Sequence, residues 1–73
     1  MNERVPAWIR SYGIRKLARQ LGVGRVTVNS WINSVTHNRK VPRVEFIQRI
    51  VLLSRDMPML VGALTYDDFF GEL

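Results

Sequence analysis

Arg25, Val26, Asn29 and Ser30 fall at a spacing that puts them on one face of a helix. That face would offer a guanidinium, an isopropyl group, a carboxamide and a hydroxyl. An ordinary solvated helix face favours Glu and Lys; short polar groups beside a lone valine suit the donor, acceptor and methyl pattern along the edges of base pairs. Other reactive chemistry is sparse. His37 is the single histidine, there is no cysteine, and no acid cluster accompanies the histidine, so neither a metal centre nor a catalytic pair is expected. Asp67 and Asp68 read as acids in the first turn of a helix rather than as a catalytic couple. The "GVG" at 22–24 is too short for a phosphate-binding loop and follows no strand. Enzymatic activity and a cofactor are not expected.

The charge distribution points the same way. Arg4, Arg10, Arg15, Lys16, Arg19, Arg25, Arg39, Lys40 and Arg43 follow one another with no Asp or Glu between them, in a chain of net charge +5. Asp56, Asp67, Asp68 and Glu72 come late. A solubilising surface mixes both signs, whereas this order suggests a front that faces a polyanion and a neutral or acidic back.

The elements that must hold this face are short. With 73 residues the chain is read as one domain, 1–73, with a modest core and no disulfide or thiolate metal site to reinforce it. The charged start lacks the apolar run of a signal peptide, and "MPMLVGAL" at 57–64 is far short of the ~18 residues of a membrane span. A soluble cytoplasmic protein with no membrane contact is expected. Pro6 suits the first turn of a helix over 6–12, which Gly13 ends. Ile14, Leu17, Ala18 and Leu21 form one apolar stripe, and Gly22 follows where a left-handed residue closes a helix. A three-residue turn over 22–24 then leads to a helix over 25–33, with Thr27, Val28, Trp31 and Ile32 on its apolar side. Trp31 is therefore assigned to the core, while Trp8 is open between core packing and an approach to DNA.

Residues 34–41 read as a basic loop, and a fourth helix is expected over 42–54. Val44, Phe46, Ile47, Ile50, Val51 and Leu53 cover over half its circumference, and Leu52 stands among its polar positions. The 57–64 segment is open between helix, strand and extended chain. Thr65, with Asp68 three residues on, predicts a short capped helix over 66–70.

The pattern Leu17-Ala18, Leu21-Gly22-Val23, Val28 and Trp31 resembles the helix-turn-helix of phage Cro and cI-type repressors. The preceding "AWIRSYG" and following "THNRKVP" add to a likeness covering about 7–42, and it is closest to the small Cro-like proteins. This resemblance implies an all-α fold, a small lambda-repressor-like helix-turn-helix domain of about five helices. It implies a repressor that binds a pseudo-palindromic DNA operator as a homodimer. Arg25 would pair with a guanine, Asn29 with an adenine and Val26 with a thymine methyl, with Ser30 beside them. Arg15, Lys16, Asn33, His37, Arg39 and Lys40 would contact phosphates. Ile14 departs from the pattern, because many such proteins place there a polar residue that clamps a phosphate and braces the second helix. The 55–73 tail would carry the dimer contacts, through Leu52, Met59, Leu60, Phe69 and Phe70. The alternative is an antitoxin or anti-repressor whose apolar C-terminal segment binds a protein partner.

Overall fold

A computed structural model describes residues 1–33 and 40–70. Those residues form five helices and no strand: α1 Arg4–Tyr12, α2 Ile14–Leu21, α3 Arg25–Trp31, α4 Val44–Asp56 and α5 Tyr66–Phe70. The all-helical class and the helix count agree with expectation. No helix among them is long and apolar enough to cross a membrane.

α1 starts two residues earlier than the proline suggested. Asn2 Oδ1 accepts the Arg4 N–H at 2.9 Å, and Pro6 still lies within the first turn, where no helical N–H is required. Val5, Trp8, Ile9 and Tyr12 turn inward. Trp8 is core: it is completely buried, stacks on Tyr12 at 4.8 Å and donates its indole N–H to Met57 O at 2.8 Å. Gly13, at φ 117°, ψ 123°, breaks the helix and reverses the chain into α2 within one residue.

α4 is displaced by two residues from the expected 42–54. Arg43 is extended at ψ 157°, and its carbonyl accepts the Phe46 and Ile47 N–H groups, so Pro42 stays outside the helix. At the other end the helix runs on to Asp56, and Met57 leaves it at ψ 72°, as the residue before a proline is driven out of the helical region. Ile47, Ile50 and Val51 enter the core, whereas Val44 in the first turn is exposed, against expectation.

The 57–64 segment is an irregular loop. It turns between Pro58 and Gly62, with the Gly62 N–H donating to Pro58 O at 2.9 Å and Met59 in the left-handed region at φ 56°. Side chains from other elements hold it. Arg4 donates to the carbonyls of Val61 and Ala63, and buried Ser54 accepts the Leu64 N–H at 2.8 Å while donating to Val51 O. Leu64 thereby reaches the core.

α5 forms as expected, and its capping is reciprocal in part. Asp68 Oδ2 reaches back to the Thr65 N–H at 2.8 Å, while Thr65 O accepts the Asp68 N–H. The other carboxylate oxygen takes the Asn2 amide at 2.8 Å and the Arg4 guanidinium at 3.4 Å, so the start and end of the described chain are clasped together. Phe69 corrects an expectation: at 1% exposure it belongs to the core, because α5 packs that face against α1 and α4, and it offers no surface to a second copy. Phe70, the next residue, points outward.

Burial alone pushes the Asp68 carboxyl up. The Asn2 and Thr65 hydrogen bonds and the Arg4 charge outweigh it and hold the pKa below the ordinary carboxylate value. A depressed folded-state pKa gives stability that is present above the ordinary value, near 4, and is lost as pH falls through the folded one. Wild-type stability should therefore fall below about pH 4. Asp68→Asn should cost roughly 1–2 kcal/mol at neutral pH and remove that part of the acid sensitivity. Denaturant unfolding of both proteins at pH 7 and pH 3 checks this; identical pH dependence would contradict it.

Candidate nucleic-acid interface

The site is built on the joint between α2 and α3. Leu17, Ala18 and Leu21 bury the inner stripe of α2 and leave Arg15, Lys16, Arg19 and Gln20 outside. At its end Gly22 adopts φ 72°, ψ 32°, the Gly22 N–H bonds to Arg19 O at 3.3 Å, and the Val23 N–H bonds to Ala18 O at 3.0 Å. This pair of bonds satisfies the terminal carbonyls and turns the chain sharply. Gly24 is extended, and its carbonyl receives the Thr27 and Val28 N–H groups that start α3. The three-residue turn over 22–24 is as read from the sequence.

α3 is shorter than expected, ending at Trp31 rather than 33, with Ile32 already non-helical at φ −118°, ψ 16°. Val28 and Trp31 anchor it, with Ile32 beyond its end; Trp31 lies 5.8 Å from the Phe46 ring. On the opposite side Arg25, Val26 and Asn29 are exposed and Ser30 is half-buried, so the four predicted residues share one accessible face. Val26 is 82% exposed, an isopropyl group left largely to solvent at the edge of α3. Ser30 spends its O–H on Thr27 O at 2.6 Å and can offer only lone pairs outward. Thr27 corrects the sequence reading: expected on the apolar side, it is exposed, because Val28, Trp31 and Ile32 leave a buried stripe too narrow to include it.

Two basic clefts flank α3. The first, about 490 Å³, lies at the start of α2, where Gly13, Ile14, Arg15 and Lys16 meet Arg25 and Asn29. Lys16 Nζ stands 4.8 Å from the centre of the Tyr12 ring, which helps to hold it. The second, about 360 Å³, joins Thr27 and Ser30 to Lys40 and Arg43. Of the residues read as phosphate contacts, Arg15, Lys16 and Lys40 thus lie beside α3, and Asn33 is half-buried just past its end. The expected contacts His37 and Arg39 lie outside the described residues. Arg43 and Thr27 were missed as candidates. For Arg43 the signal was its place ahead of α4 at the end of the acid-free basic run; for Thr27 it was a marginal position on the helical wheel.

Together these groups form a strip of hydrogen-bonding and methyl chemistry between two cationic margins. Among the described residues no three His, Cys, Asp or Glu side chains are grouped so as to hold a metal ion. The chain matches no protein-family model, no curated protein and no solved structure. The functional reading therefore rests on this geometry and chemistry.

The turn sets the geometry of the strip. A Cβ at Gly22 would meet no atom, so Gly22→Ala isolates the backbone penalty of the left-handed conformation. It should destabilise the chain by about 1–2 kcal/mol, measured by denaturant unfolding. No loss of stability would contradict this geometry.

Proposed function

We propose that the chain is a sequence-specific DNA-binding transcriptional regulator, a Cro-like repressor that binds a pseudo-palindromic operator as a homodimer in the cytoplasm. The observation that carries this reading is the outer face of α3, where Arg25, Val26 and Asn29 project between clefts holding Arg15 and Lys16 on one flank and Lys40 and Arg43 on the other. A helix in the major groove has a phosphate backbone on each side, so cations on both flanks suit that pose. Arg25 then donates two hydrogen bonds to a guanine, Asn29 pairs with an adenine, and Val26 meets a thymine methyl.

The dimer is supported by charge and exposure together. A two-fold contact sets a patch against its own copy, so the basic α2–α3 side repels itself. Around the tail Arg55 is balanced by Asp56 and Asp67, and Leu52, Met57, Met59, Leu60 and Phe70 are exposed there. Leu60 is completely exposed at the tip of a loop that Arg4 and Trp8 hold in place. The chain measures 29 × 25 × 22 Å, a size at which two copies side by side span one DNA turn, on the order of 34 Å. The same apolar surface is what favours the second reading, an antitoxin or anti-repressor that docks a different protein.

Arg25→Ala should cost about 1–3 kcal/mol on the preferred site and relax selection at one base position. Lys16→Ala should weaken all sequences alike and lower the salt dependence of binding by about one unit. Quantitative titrations on site and mixed-sequence duplexes separate the two; equal effects from both substitutions would contradict the assignment.

Sedimentation should show a wild-type dimer and a Leu60→Asp monomer that still binds mixed-sequence DNA. A wild-type chain that stays monomeric with and without DNA would contradict the dimer and favour a protein partner for the tail.

A further inference from the structure

α3 has two turns, and little of its own sequence stabilises its ends. No side chain caps its start at Gly24, no acid stands in its first turn, and no basic residue stands in its last. Among the described residues, two donors from elsewhere in the chain close its C-terminal end. The Lys40 N–H donates to Ser30 O at 2.9 Å, and Arg10 Nη2 donates to Ile32 O at 2.8 Å. The second is the unusual one. Arg10 belongs to α1, twenty-two residues away, and its side chain ties that helix to the end of α3.

A cation at a helix C-terminus meets the negative end of the helix dipole as well as an unpaired carbonyl. Removing Arg10 takes from the Ile32 carbonyl the donor that it has from α1, at a residue that is itself buried. The pose of α3 then depends on the fixings at both ends and on its buried side, the Lys40 N–H on Ser30 O among them. The Gly22 turn sets where the helix begins, Val28 and Trp31 set which face turns inward, and Arg10 holds the far end. Tilting a helix about its first turn moves Asn29 and Ser30, near the far end, more than Arg25 at the start.

We propose that Arg10 is a positioning residue for base recognition: its guanidinium, bonded to Ile32 O, fixes the tilt at which α3 presents Asn29 and Ser30. This rests on the DNA-binding reading above. By charge alone Arg10 would count as one more phosphate contact, and the two roles predict different behaviour. A phosphate contact contributes to every sequence and to the salt dependence. A positioning residue contributes to the ratio between the preferred site and mixed sequence, and leaves the salt dependence of mixed-sequence binding unchanged.

The test compares wild type, Arg10→Ala and Arg10→Lys, at a temperature where circular dichroism shows all three folded. Affinities for the selected site and for a mixed-sequence duplex are measured over a range of salt, and amide hydrogen exchange is followed in the free proteins. Arg10→Ala should lower the ratio of site to mixed-sequence affinity about tenfold, with mixed-sequence binding and its salt slope as in wild type. Arg10→Lys, which keeps a donor and the charge, should recover part of the ratio. Exchange at the Trp31 and Ile32 amides should quicken in Arg10→Ala while that of the α4 amides stays unchanged. A parallel loss on both duplexes with a salt slope lower by about one would make Arg10 a phosphate contact and overturn the proposal. An unchanged ratio would overturn it as well. Should wild type show no preference among sequences, the DNA-binding reading itself fails. Exchange then decides alone: unaltered rates at Trp31 and Ile32, or equal acceleration throughout the chain, would overturn the role of Arg10.

Discussion

A helix of two turns does not persist alone in water, since forming its first turn fixes several residues for a single hydrogen bond. Everything proposed for this chain depends on how α3, Arg25–Trp31, escapes that limit. Its stability is borrowed. Val28 and Trp31 sink into a core made by the other helices, and the Gly22 turn ties its start to the end of α2. With the inner side committed to packing, Arg25, Val26 and Asn29 on the outer side are left exposed. That division explains how an exposed valine and an exposed asparagine can occupy neighbouring turns of so short a helix.

The supporting helices are in turn held by long-range polar contacts. Asp68 gathers Asn2, Arg4 and Thr65, while Arg4 also spans to the carbonyls of Val61 and Ala63. Arg4 is half-exposed, so its charge pairing adds little by itself. The larger effect is that the clasp orders the 57–64 loop against α1, which buries Leu64 and leaves Leu60 outside. Arginine thus serves two purposes in this chain. Arg4 and Arg10 bind backbone carbonyls within the molecule, whereas Arg15 and Arg25 project from α2 and α3 beside an open cleft.

Much of this was legible in the sequence wherever one residue type permits one local geometry. Gly13 and Gly22 marked two helix ends because their backbone angles suit glycine, and the Ile14 to Leu21 stripe marked the inner face of α2. Thr65 and Asp68 marked α5 because their spacing allows one particular cap. Legibility failed where tertiary packing decides between neighbours. Phe69 and Phe70 are alike in composition, yet α5 buries the first and exposes the second. Thr27 lies at the border of a stripe whose width depends on how α3 is seated. The path of 57–64 is fixed by Arg4, Trp8 and Ser54, all distant or buried partners that no local pattern reveals.

The proposed function requires that the outer face of α3 reads base pairs. In-vitro selection from random duplex DNA, with the full chain at near-physiological salt, tests it most directly. A dimer that reads DNA through α3 should enrich a two-fold symmetric sequence with half-sites one helical turn apart, each containing a guanine for Arg25 and an adenine for Asn29. No enrichment, with weak binding that disappears as salt rises, would contradict it and leave only a basic helical surface.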